Sequence, residues 1–334
     1  MSILSRSAIR RPEVPSRVAV LNYPVRTFRR FCWPEAGSDV ECPDDYDLSP
    51  ELFETVTDDG LTIRGWIFVP DRPWGVVVVC HARSASKSRT LRQVKLLHQR
   101  GLAAVTFDFR GCGESDPAGR HARSSLWGPL GDLDAVTGYV DRHLVGELFP
   151  AHRVALLGCS FGGNMVLAYA GATKRTYPAI VLDSTPLVRW QTMLGAQLER
   201  ERRMARHQRT RAAADRLVVR GVIGWTRAEA LYRHARHSAH NLRDTAALLI
   251  VGERDTLFDI EESQLFLRGH YAGEQHIWRV PRGRHLTNHL VEPEHYADRV
   301  ADLLAAAFDR AGGRGRPAGS DLTESIAIQR NPVL

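Results

Sequence analysis

Lysine is almost missing from this chain. Of 45 basic residues only Lys87, Lys95 and Lys174 are lysines, so the formal charge of +7 rests on arginines spread along the whole sequence. So uniform a preference for arginine over lysine reads as compositional bias rather than a binding face. No tract interleaves basic with aromatic residues, so no nucleic-acid partner is expected. Long apolar runs are also missing: no stretch reaches the 18 residues of a membrane span, and none is expected. The opening "MSILSRSAIRRPEVPSR" lacks an apolar core before a small-residue cleavage site, so no secretion signal is expected. Cysteine is scarce and odd in number. Cys32, Cys42, Cys80, Cys112 and Cys159 form no CxxC pair, which fits free thiols in the cytoplasm.

What is present suits a globular enzyme-sized fold, with 43% hydrophobic and 25% charged residues. Residues 1–50 are punctuated by Arg and Pro and read as an N-terminal extension. From there short apolar runs alternate with helical segments. "FETVTDDGLTIRGWIFVP" (53–70) reads as an antiparallel pair turning at Asp59-Gly60. "GVVVVC" (75–80), "LAAVTFDF" (102–109), "RVALLG" (153–158), "AIVLD" (179–183), "AALLIVG" (246–252) and "HIWRV" (276–280) read as buried strands. Helical spacing falls between them, over 88–101, 132–144 and 162–172. The alternation predicts an α/β fold: a mostly parallel central sheet with helices on both faces, built from residues 51–185 and 244–310. Functional groups then belong at the carboxyl ends of the strands.

Residues 186–243 break the rhythm. They look helical throughout, with Trp190, Met193, Leu194, Gln197 and Leu198 on one course, and read as a helical cap inserted after the sixth strand. Residues 311–334 open Gly/Pro-rich and read as a disordered tail.

Gly158-Cys159-Ser160-Phe161-Gly162 is a G-x-S-x-G between a predicted strand and a predicted helix. In that context a tight turn exposes the serine hydroxyl as a nucleophile. Serine needs a base, and the base needs an orienting carboxylate. His285, in the loop after "HIWRV", is the candidate base. Asp255, in the loop after "AALLIVG", is the candidate acid, and it keeps the order Ser, Asp, His. Asp183 also ends a strand and is its main rival; Glu253 and Asp259 are others, and Asp255 itself could cap a helix beginning near Phe258. The N–H groups of Phe161 and Arg83 are the candidate oxyanion donors. His285 and His289 lack the glutamate of a zinc-protease motif, so no metal and no cofactor is expected. His234, His237 and His240 read as a solvated surface.

On these residues the chain resembles the α/β-hydrolase superfamily, nearest to its serine-aminopeptidase and monoacylglycerol-lipase-like branch. The likeness spans roughly residues 53–310. It rests on the G-x-S-x-G elbow, "HARSASK" after the third strand, "DFRGCGES" after the fourth, "GERD" and "GRH". The resemblance implies that Asp108 and Arg110 shape a loop beside the site. Where these relatives carry His-Gly, this chain has His81-Ala82.

The expected activity is hydrolysis of a carboxylic ester or thioester of a small acyl substrate through an acyl-enzyme on Ser160. Acyl transfer or cyclisation by the same triad is the alternative, with a small-peptide aminopeptidase and a non-catalytic binding protein behind it. Nothing in the sequence fixes an oligomeric state.

Overall fold

A computed structural model describes Gly37 and residues 40–117, 126–204 and 212–312. Most of the expected extension and nearly all of the expected tail lie outside the described residues. The end of that extension is docked: Leu48 packs against Trp66, Phe68, Leu91 and Val94.

Eight strands form one sheet: β1 (Glu51–Val56), β2 (Thr62–Phe68), β3 (Gly75–Cys80), β4 (Leu102–Phe107), β5 (Val154–Cys159), β6 (Ala179–Asp183), β7 (Ala246–Gly252) and β8 (Gln275–Val280). Their spatial order is β1-β2-β4-β3-β5-β6-β7-β8. β1 and β2 pair antiparallel, and β2 runs antiparallel to β4; every later pairing is parallel. The β1–β2 turn falls where Asp59-Gly60 predicts it, with Gly60 at a φ of 82° and its N–H donated to Thr57 O.

The helices are α1 (Leu91–Gln99), α2 (Gly128–His143), α3 (Phe161–Ala170), α4 (Trp190–Met204), α5 (Ala212–Thr226), α6 (Ala228–Asn241), α7 (Ile260–His270), α8 (Asn288–Val291) and α9 (Pro293–Arg310). Both sheet faces are covered, which explains the unbroken apolar strands. Side chains alternate across a strand, so Val76 and Val78 enter one core, with Met165 of α3 and Leu133 of α2. Val77 and Val79 enter the other, with Leu97 of α1 and Val300 and Leu304 of α9. Each fully buried aliphatic side chain contributes about 1.5–3 kcal/mol of transfer free energy.

The segment read as a cap, 186–243, divides in two. Leu231, Ala235 and Ala239 of α6 join the sheet-facing core, and Ser238 Oγ donates to Ala168 O of α3 at 3.0 Å. α6 is therefore part of the layer over the sheet. Trp190 and Met193 of α4 join the same core, while Leu194 and Leu198 pack with Val218, Val219 and Val222 of α5 in a separate seam. A helical period looks the same whether the apolar stripe meets a sheet or another helix.

Candidate functional site

The parallel strands end on one side of the sheet, and the loops there carry the predicted residues. After β5 the chain turns into α3 with Ser160 at φ 52° and ψ −111°, a region L-residues rarely occupy. Glycines permit the turn. A Cβ on Gly158 would strike the Gly162–Gly163 backbone, one on Gly162 would strike the Cys80 and His81 carbonyls, and one on Gly163 would strike Thr185. The Ser160 N–H is held by Asp183 O at 2.8 Å.

Ser160 Oγ lies 2.9 Å from His285 Nε2, and His285 Nδ1 lies 2.7 Å from Asp255 Oδ2. A carboxylate only accepts, so Nδ1 carries the proton and donates to Asp255. That leaves the Nε2 lone pair to take the serine hydroxyl proton. The Asp255 side chain is wholly buried, and its Oδ1 accepts the Leu257 N–H at 2.8 Å. The Phe258 ring stands edge-on to the imidazole, 6.0 Å between centroids.

The rival acids are engaged elsewhere. Asp259 caps α7, accepting the Glu261 and Glu262 N–H groups. Glu253 faces Arg279, and the Asp183 carboxylate is bonded to Asn288 and Tyr296. The thiol next to the serine is no competitor: burial pushes the Cys159 thiol well above its ordinary range.

Phe161 is the first residue of α3, so its N–H has no partner within the helix. Arg83 lies in the loop after β3, and its guanidinium sits over the Phe161 ring at 5.7 Å. His81 orients that loop. Its Nδ1 donates to Ala82 O at 2.7 Å, while its Nε2 accepts the Phe109 N–H at 3.0 Å. The Ala85 N–H also donates to Ala82 O. Ala82 C=O and Arg83 N–H belong to one trans peptide unit and point in opposite directions. Holding the carbonyl on His81 therefore turns the Arg83 N–H the other way. Sequence reasoning noted His81 only as part of a motif; the signal available was a histidine at the buried end of an apolar strand.

Asp108 and Arg110 shape the neighbouring loop. Asp108 is buried and accepts from Lys87 N at 2.7 Å, Lys87 Nζ at 2.8 Å and the Glu114 N–H at 3.0 Å. Arg110 bridges Asp132 and Asp59 at 2.7 Å each. Beside His285 opens a cavity of about 620 Å³ lined by Arg254, Thr256, Leu257, Arg284 and Thr287. His289 is buried against Gln93 and the Tyr296 ring. Among the described residues no three His, Cys, Asp or Glu side chains cluster as a metal site would, and no helix is long and apolar enough to cross a membrane.

The chain is similar to known proteins in part of its sequence and in its fold. Residues 71–206 match the family described as serine aminopeptidase, S33. A polyketide transferase, grgF, of a Penicillium species is 33% identical over 137 residues, 40% of this chain and 45% of that protein. The chain thus spans about half the length of the curated relatives it matches. Among solved structures, an esterase of Pyrococcus furiosus superposes with a TM-score of 0.59 at 19% identity, over 80% of this chain and 97% of the other. The Penicillium α/β hydrolase GrgF superposes with a TM-score of 0.59 at 21% identity, over 78% and 100%.

Proposed function

We propose that the chain, whose residues 71–206 match the serine aminopeptidase S33 family, is an α/β-hydrolase-fold serine hydrolase cleaving a carboxylic ester or thioester through an acyl-enzyme on Ser160. The observation that carries this reading is the hydrogen-bonded chain from Ser160 through His285 to Asp255. His285 Nε2 removes the Oγ proton as Oγ attacks the acyl carbon, and the Phe161 and Arg83 N–H groups receive the charge that grows on the acyl oxygen. The bond to the leaving alcohol or thiol breaks as His285 returns the proton to it. Water then attacks the acyl carbon as His285 takes its proton, and the bond to Oγ breaks as His285 returns that proton to Ser160, releasing the acid. Asp255 holds the imidazole in the tautomer both halves need. Helices α4 and α5 act as a cap that limits what reaches Ser160. The described cysteines Cys42, Cys80, Cys112 and Cys159 are all free, in keeping with a cytoplasmic enzyme.

Steady-state kinetics over p-nitrophenyl esters and acyl-CoA thioesters test the reading. Ser160→Ala is expected to lower kcat by about 10⁶-fold on whichever class is turned over, on the scale of another serine hydrolase's triad. A variant that keeps more than about a tenth of the activity would overturn it.

The likeness to a polyketide transferase favours a second reading, in which an alcohol or amine replaces water as acceptor. The cavity beside His285 is where such an acceptor would meet the base. Product analysis with competing acceptors separates the two, since transfer yields an acylated acceptor in place of free acid.

A further inference from the structure

Asp183 is fully buried at the end of β6, between the strand that carries Ser160 and the strand that precedes Asp255. Its carboxylate is bonded to neutral groups. Ser184 Oγ donates to Oδ1 at 3.0 Å, Asn288 Nδ2 donates to the same oxygen at 2.8 Å, and Tyr296 OH donates to Oδ2 at 3.0 Å. Asn288 gives its second amide proton to Ser184 Oγ at 3.0 Å, and that oxygen also accepts the Leu286 N–H at 3.0 Å. Every donor proton in this set has one acceptor, and both lone pairs of the Ser184 hydroxyl are used.

The arrangement dictates which way Asn288 stands. A carboxylate cannot donate, so the amide nitrogen must face Asp183. Asn288 Oδ1 is then left without a hydrogen-bond partner, lodged against Gly283, where a Cβ would strike it. A buried acceptor without a partner is unfavourable, and the fold tolerates it to keep the nitrogen on Asp183.

Both halves of the site meet at this one residue. The Asp183 main-chain carbonyl holds the Ser160 N–H at 2.8 Å, and its side chain, with Ser184, holds the backbone just after His285. Ser160, Ser184 and Leu286 all have left-handed φ, at 52°, 52° and 58°. Such conformations persist only where surrounding contacts fix them. The bond to Asp255 fixes how the imidazole is rotated. It does not fix how far the histidine loop stands from the serine turn.

We propose that Asp183 is a positioning residue: through Ser184 and Asn288 it locks the Ser160 turn and the His285 loop into one register and so sets the distance from Ser160 Oγ to His285 Nε2. The proposal rests on the triad reading above. It adds a second carboxylate, one that acts on the loop rather than on the ring.

An exchange of side chains tests it. Asn288→Asp sets two carboxylates against each other and breaks the tether. Asn288→Ala breaks it without adding charge and serves if the first variant does not fold. Asp183→Asn combined with Asn288→Asp restores an amide donor facing a carboxylate. Each protein is assayed only if it melts cooperatively with the wild-type circular dichroism spectrum. A misplacement of about 1 Å costs about 100-fold, so each single Asn288 variant is expected to lose about 30–100-fold in kcat with KM within about threefold, and the double exchange to recover at least about tenfold over Asn288→Asp. Folded single variants with kcat within about twofold of wild type, a loss carried by KM, or a double exchange no better than its parent would each overturn the proposal. Ser160→Ala in the same assay separates the two claims. If it stays active, the triad falls and this proposal with it; if it is dead beside a fully active Asn288→Ala, only the tether falls.

Discussion

His285 Nε2 stands 2.9 Å from Ser160 Oγ while the same ring's Nδ1 stands 2.7 Å from Asp255 Oδ2. One imidazole thus joins a serine hydroxyl on the turn after β5 to a carboxylate on the loop after β7. The consequence is a tautomer requirement. Asp255→Asn keeps the volume but offers an amide that can favour the wrong tautomer. It is expected to lower kcat by about 10⁴-fold with KM little changed, the scale of the same substitution in a serine-protease triad. Steady-state kinetics on the wild-type substrate check this, and a loss under about tenfold would point to another acid.

The elbow glycines set a packing limit. A Cβ on Gly162 meets the main-chain carbonyls of Cys80 and His81, and backbone cannot step aside as a flexible side chain does. Gly162→Ala is expected to cost about 1–3 kcal/mol of stability and to shift the loop that carries Arg83. Thermal melts and kcat of the same preparation should fall together.

Much of this site could be read in the sequence, for identifiable reasons. β3, β6 and β7 have the predicted bounds, because a strand buried on both faces leaves an unbroken apolar run. The G-x-S-x-G turn puts Ser160 forward as a candidate and chain order restricts the other two, and the structure brings Ser160 and Asp255 each within hydrogen-bond distance of His285. Asp183 and Asp255 both end or follow a strand, and no local pattern separates them. What does is the pair of hydrogen bonds that Asp183 accepts from Asn288 and Tyr296, residues more than a hundred positions away that leave no periodic trace. The Arg83 peptide is likewise aimed by His81, a contact between neighbours in which the ring's two nitrogens have opposite roles.

Lys87 gives a stability prediction. It is fully buried, paired with Asp108 and Glu114, and its ammonium lies 4.4 Å from the Trp66 ring centroid. Lys87→Met fills the space and leaves Asp108 buried without its cation. Breaking a buried pair from one side costs about 3–5 kcal/mol, and chemical denaturation should show a loss of that size. A change under about 1 kcal/mol would mean that the backbone donors to Asp108 suffice.

His289 gives a pH dependence. Burial holds its imidazole below the ordinary histidine value of 6.5. The unfolded chain therefore takes up a proton that the folded protein refuses as pH falls below about 6.5. The favourable contribution is complete above that value and is lost as pH drops towards the depressed folded value. The slope for one such group is at most about 1.4 kcal/mol per pH unit. His289→Gln should flatten this part of the stability curve, measured by urea denaturation at a series of pH values. An unchanged slope would assign it to other histidines.

Acylation of Ser160 is the step on which the proposed chemistry depends. Intact-mass spectrometry after treatment with a fluorophosphonate, followed by peptide mapping, tests this most directly. One adduct per chain is expected, on Ser160, absent in Ser160→Ala and strongly slowed in His285→Ala. A folded wild-type protein that takes up no label, or carries it on another residue, would contradict it.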